Sequence, residues 1–88
     1  MIIELIFEKR FEKDLRKVAN KKVLQHLKRL ILKVSEAKNL SEINEKVKRL
    51  KSNSKYYRIR IGDYRIGLEV QKGKVIFVRI LLRKDIYK

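Results

Sequence analysis

Residues 56–70 read YYRIRIGDYRIGLEV, two alternating stretches joined at Gly62 and Asp63. Alternation of apolar and polar side chains is the period of a half-buried strand. A two-residue connection with glycine first suits a type II′ turn, whose twist matches that of the strands it joins. Such a turn sets the register: Ile61 opposes Tyr64, Arg60 opposes Arg65, Ile59 opposes Ile66 and Arg58 opposes Gly67. One face then carries Tyr57, Ile59, Ile61, Tyr64, Ile66, Leu68 and Val70, the side for other elements to cover. The opposite face carries Arg58, Arg60, Arg65, Gly67 and Glu69, with Tyr56 facing Glu69 at the far end. Like charges set against each other across a strand pair are destabilising. An arginine facing an arginine therefore needs a reason outside the fold.

The next connection, VQKGKV at residues 70–75, closes with two residues or with three and a bulge at Gly73. A two-residue loop sends Arg79 and Arg83 into the core, where each buried charge needs a partner. The three-residue loop is therefore expected. It places Ile76, Val78, Ile80 and Leu82 on the covered face, and Phe77, Arg79, Leu81 and Arg83 on the arginine face. That face would then hold five arginines: Arg58, Arg60, Arg65, Arg79 and Arg83.

Upstream, residues 2–7 form a first strand, with Ile3, Leu5 and Phe7 on one side. Apolar residues at Phe11, Leu15 and Val18 have helical spacing over about 8–19. Asn20 suits a left-handed stop between two helices. Residues 21–38 carry Val23, Leu24, Leu27, Leu30, Ile31 and Val34 on a broad stripe, opposite a face rich in Lys, Arg and Gln. Residues 39–55 are polar; Ser52, Asn53 and Ser54 mark a loop, and Val47 and Leu50 a brief turn. The expectation is one α+β domain over residues 1–88. It comprises an N-terminal strand, a helical hairpin and a three-stranded antiparallel meander over 56–61, 64–70 and 75–82, with the helices on one face of the sheet.

The 88-residue chain has 25 Lys and Arg against 10 Asp and Glu, a net charge of +15. Such an excess points to a polyanionic partner, nucleic acid or an acidic protein. It contains no cysteine and a single histidine, so disulfides and a Cys/His zinc site are excluded and an intracellular, cytoplasmic setting is expected. No apolar run reaches membrane-spanning length, and the opening MIIELIFEKR lacks the basic start and cleavage site of a signal peptide. No membrane, metal or other cofactor is expected.

A solvated sheet face usually mixes lysine with acids and hydroxyls, whereas Glu69 is the only acid on the arginine face of the meander. Arginine grips phosphate bidentately and stacks on bases, so the face reads as an anion-binding surface. Glu69 is either a base oriented by an arginine or a salt-bridge partner for the cluster. Tyr56 is placed to support RNA. His26, beside the apolar stripe of the second helix, reads as structural, and Asp85 as a local partner of Arg83.

The order of these features, from the strand–helix–helix opening through YYRIRIGDYRIGLEV to ILLRKDIYK, resembles the RelE/ParE toxin superfamily over nearly the whole chain. GDYRI at residues 62–66 and the late Arg83 and Tyr87 are most similar to RelE-like mRNA interferases. The resemblance implies a microbial-RNase-like sheet and a ribosome-dependent endoribonuclease that cuts mRNA in the ribosomal A site by attack of the ribose 2′-hydroxyl. It implies catalytic roles for Arg65, Arg83 and Tyr87, and phosphate binding by Arg58 and Arg60. The family pattern has lysines where this chain has Arg58 and Arg60. An arginine does not give up its proton, so these two bind phosphate and do not serve as a general base. The implied partners are mRNA, the ribosome and an acidic RelB-like antitoxin, in a toxin–antitoxin heterodimer or heterotetramer. The alternatives are a ParE-like inhibitor of DNA gyrase and a non-catalytic RNA-binding module.

Overall fold

The computed structural model describes residues 4–37, 47–49 and 55–86. In chain order these form β1 (Glu4–Phe7), α1 (Lys9–Arg16), α2 (Lys21–Glu36), β2 (Val47–Arg49), β3 (Tyr56–Ile61), β4 (Tyr64–Gln71), β5 (Lys74–Leu82) and α3 (Arg83–Ile86). All five strands join one sheet in the order β1-β5-β4-β3-β2. The β3–β4–β5 meander has the expected antiparallel sense. Two short strands flank it: β1, the expected N-terminal strand, runs parallel to β5, and β2, which the sequence does not suggest, pairs antiparallel with β3. Val47 thus begins a strand where only a turn is expected. Ile2, Ile3, Lys38, Leu50 and residues 52–54 lie outside the described residues.

Asn20 starts the second helix instead of stopping the first. Its backbone is extended (φ −79°, ψ 111°), and its side-chain oxygen accepts hydrogen bonds from the N–H groups of Lys22 (2.9 Å) and Val23 (3.2 Å). That satisfies two of the donors left open at any helix N-terminus. From this cap α2 lays Val23, Leu27, Leu30 and Val34 onto the sheet, while α1 contributes Phe11. They meet Ile59, Ile61, Ile66, Leu68, Val75, Phe77 and Ile80 in a continuous core. Phe77 stacks on Phe7 (4.9 Å between ring centroids) and meets Phe11 edge-on (5.5 Å), joining β1, α1 and β5.

The β3–β4 register is the expected one, from Ile61 opposite Tyr64 to Tyr56 opposite Glu69, with Gly62 at φ 56° in the turn. The β4–β5 connection differs. It has two residues, Lys72 and Gly73, and Gly73 takes φ 68°. Leu68 then opposes Phe77, so Phe77 is buried in the core and Ile76 lies on the uncovered face, the reverse of the expectation. A β-bulge at Gly67/Leu68 next inserts Val78 without a partner, and the phase changes. Gly67 opposes Arg79, Ile66 opposes Ile80 and Tyr64 opposes Leu82, so Ile80 returns to the core as expected.

A carboxylate holds this bulge. Asp14 on α1 is 6% exposed and accepts from Arg79 Nε (2.8 Å) and Nη2 (3.0 Å), and from the backbone N–H of Ile80 (3.1 Å). β1 pairs with β5 only as far as Phe77, so the Ile80 N–H has no strand neighbour on that side and Asp14 supplies the acceptor. The hydrogen bonds to Asp14 raise the Arg79 pKa further above its ordinary value, so the guanidinium stays charged.

Asp14→Ala should lower the unfolding free energy by about 2 kcal/mol, toward the low end for a lost charged partner because solvent reaches Arg79. Asp14→Asn, which keeps an acceptor for Ile80, should cost less. Urea denaturation measures both; an alanine variant as stable as wild type would show that the bulge needs no carboxylate. Arg60→Ala, which removes one member of the Arg60–Arg65 pair, should change stability by no more than about 0.5 kcal/mol, or raise it. A large drop in its melting temperature would make Arg60 a structural ion-pair partner.

Candidate functional site

The uncovered face of the sheet is ordered by the register into rows running across the strands. One row sets Leu81, Arg65 and Arg60 side by side. The next sets Arg79, Gly67 and Arg58. A third sets Ile6, Ile76, Glu69 and Tyr56. The β3 and β4 half is therefore cationic and the β1 and β5 half aliphatic. The aliphatic half was not legible from alternation, because the bulge decides which β5 residues reach this face.

Arg65 is oriented by its own turn. Its Nη1 donates to the carbonyls of Tyr64 (3.1 Å) and Gly62 (3.3 Å), which draws the guanidinium toward the β3–β4 connection. Arg83 comes to the same connection from the other side, since its backbone N–H donates to the Asp63 carbonyl (2.8 Å) as α3 begins. An open cleft of about 570 Å³ is bordered there by Asp63, Leu82, Arg83 and Lys84. Arg83 opens α3 directly after β5, and the tight turn gathers Arg65 and Arg83 at one end of the sheet. Arg58 is half-buried and Arg60 exposed beside them.

Arg79 departs from the expected set. Its Cα keeps a place in the Gly67–Arg58 row, but its Nε and Nη2 are bound to Asp14. The bulge and the buried carboxylate together withdraw its charge from the face. Asp14 itself escaped notice because only the apolar members of the Phe11–Val18 stripe were read; a lone acid three residues after Phe11 and four before Val18 was the available signal.

Glu69 lies at the opposite end, where its carboxylate meets Lys55 Nζ (3.0 Å) and accepts from Gln71 Nε2 (2.8 Å). The Gln71 hydrogen bond, then Lys55, hold its pKa below the ordinary glutamate value. It is separated by four residues of strand, roughly 13 Å, from Arg65. Its partner is a lysine, not the arginine cluster, and a carboxylate so stabilised is a weaker base. Tyr56 is exposed beside it, with Lys55 Nζ 5.7 Å from its ring centre. His26 is half-buried on α2, and Asp85 borders a second cleft that includes Lys17, Tyr64 and Arg79. Tyr87 lies outside the described residues.

Comparison with known proteins places the chain in a family. Residues 5–87 match the ParE toxin family of type II toxin–antitoxin systems, parDE. The chain is 38% identical over 85 residues to Toxin RelE3 of Methanocaldococcus jannaschii, covering 97% of this chain and 96% of that one. Its structure is similar to the crystal structure of a RelB–RelE antitoxin–toxin complex from Methanococcus jannaschii, with a TM-score of 0.84, 38% identity and coverage of 93% and 94%. The archaeal RelE–RelB complex from Pyrococcus horikoshii shares the fold at 20% identity, with a TM-score of 0.71 and coverage of 94% and 97%. With a matching family model over almost its full length and a relative of this identity, the chain belongs to the ParE toxin family of type II toxin–antitoxin systems.

Proposed function

We propose that this toxin is a ribosome-dependent endoribonuclease that cuts mRNA in the A site and is silenced by an acidic RelB-like antitoxin. The observation that carries the reading is the convergence of Arg65 and Arg83 on the Gly62–Asp63 turn beside Arg58 and Arg60. In the reaction the 2′-oxygen gives up its proton and bonds to the adjacent phosphorus, and the bond to the 5′-oxygen breaks. That oxygen takes up a proton and departs as the 5′-hydroxyl of the downstream fragment, and a cyclic 2′,3′-phosphate is left on the upstream one. Negative charge grows on the phosphoryl oxygens, and guanidinium groups already fixed in place stabilise it without reorganisation. Arg65 and Arg83 take this role, Arg58 and Arg60 hold the neighbouring phosphates, and Tyr56 supports the strand. The 2′-hydroxyl proton needs another acceptor, since none of these arginines releases its own. Tyr87, near the end of the chain, is the residue assigned to proton transfer.

Dependence on the ribosome follows from shape. An open sheet face supplies charge but little enclosure, so it cannot by itself hold a ribose and its phosphate in the aligned geometry that cleavage needs. A message already gripped in the A site arrives ordered. The similarity to RelE in complex with RelB, together with a net charge of +15, supports an acidic antitoxin as the partner in the cell. A ParE-like block of gyrase is the competing activity within the same family.

Arg65→Ala and Arg83→Ala should each slow single-turnover cleavage of ribosome-bound mRNA by ~10²–10³, the usual effect of removing one preorganised charge stabiliser. Ribosome binding should fall much less, because the other cations still release counterions. Primer extension reads the cuts. Wild-type rates in both variants, or inhibition of supercoiling without any cut, would overturn the assignment. The association rate with the antitoxin should fall steeply as salt rises, measurable by stopped flow; a salt-independent rate would remove electrostatics as the driving term.

A further inference from the structure

Gly67 stands in the middle of the arginine face, opposite the β5 bulge but without the positive φ that would require a glycine there. Among the described glycines, Gly62 and Gly73 take positive φ, and Gly67 does not. A Cβ built on it meets no described atom within 4 Å. Neither a positive φ nor a close described neighbour therefore asks for glycine, even beside the bulge, and a glycine inside a strand weakens it. The absent side chain leaves a well on the sheet surface. Arg58 and Arg79 flank it across the strands, and Arg65 and Glu69 precede and follow it on the same face. The pull of Asp14 on the Arg79 guanidinium draws one flanking charge aside.

We infer that Gly67 is the floor of a subsite for one nucleobase of the RNA, laid flat on the bare peptide of β4. Resting on the RNA-cleaving reading above, this adds a base contact to what is otherwise phosphate chemistry. The well has a polar but uncharged floor, and the aliphatic stems of arginine make its walls, since long basic side chains carry apolar methylenes beneath charged tips. Arg58 and Arg65 rise on neighbouring rows, placed to hold the phosphates on either side of a ring seated between them. A lone phosphate would be satisfied at the guanidinium tips and would not use the floor. A flat ring with a phosphate on each side uses both. Every base presents such a face, so the contact orients the strand without reading its sequence.

The test measures toxin-concentration dependence of single-turnover cleavage on programmed ribosomes, for wild type, Gly67→Ala and Gly67→Val, alongside thermal melts. Both variants should melt at or a few degrees above the wild-type temperature, because a side chain enters open space in a strand. The half-saturating concentration should rise with side-chain size, by roughly ten-fold or more for valine. The decisive arm uses a message whose A-site nucleotides lack bases but keep ribose and phosphate. On it the difference between wild type and Gly67→Val should vanish, since there is no ring left to exclude. A valine variant that cleaves like wild type on ordinary message, a penalty that persists on the abasic message, or a lowered melting temperature for Gly67→Ala would each overturn the subsite. If the wild type itself never cuts ribosome-bound message, the cleavage reading fails first. Wild-type cutting with an unaffected valine variant removes the base contact alone.

Discussion

Three hydrogen bonds to one carboxylate decide which residues of β5 face which way. Asp14 accepts from two nitrogens of Arg79 and from the N–H of Ile80, just where β1 has ended and that edge of β5 would otherwise be bare. An extra residue in a strand reverses the facing of everything beyond it. Before the bulge, Val75 and Phe77 point to the helices; after it, Ile80 does. Without the bulge either Phe77 or Ile80 would leave the core. The same contact takes the charge of Arg79 off the uncovered face and leaves space around Gly67. Asp14 is thus tied to the core and to the shape of the functional surface through a single set of bonds.

How much of this was legible in the sequence depends on how local the cause is. The β3–β4 register needs only a glycine-led two-residue turn between alternating arms, and the structure reproduces it pair for pair. The β4–β5 register fails because KVIFVRILL, from Lys74 to Leu82, is apolar on both faces and so fits two phases equally well. Refusing to bury Arg79 without a partner was sound reasoning with a missing term, since the partner lay 65 positions upstream. Asn20 misled for a different reason. The side chain that tolerates a left-handed stop is also among the best helix N-caps, and only the observed extended backbone separates the two roles. β2 and the parallel β1–β5 pairing are short and non-local, and no periodicity announces them.

The candidate site divides in the same way. Arg58, Arg60 and Arg65 were readable because they lie on the local hairpin. The face of Arg83 was read by continuing the alternation one residue past the expected strand end at 82, where the structure begins α3. Glu69 keeps its place opposite Tyr56, yet its bond to Lys55 depends on a residue before the strand begins. The aliphatic half of the face appears only once the bulge is known.

The surface so built keeps features that cost stability. Arg60 opposes Arg65 in register, Gly67 interrupts a strand although neither its φ nor a near neighbour demands glycine, and Lys21 and Lys22 sit in the first turn of α2, at the positive end of its dipole. In a domain of 88 residues, where the stability margin is small, unforced departures of this kind are best explained by what they bind. Phosphates relieve the opposed arginines, and an acidic chain relieves them too. On the function proposed above, a single electrostatic strain therefore draws the toxin both to its substrate and to its inhibitor. The two differ in what lies between the charges. A nucleic acid brings flat rings among its phosphates, whereas a carboxylate-bearing peptide does not. The uncharged floor at Gly67 is the part of the face able to tell them apart.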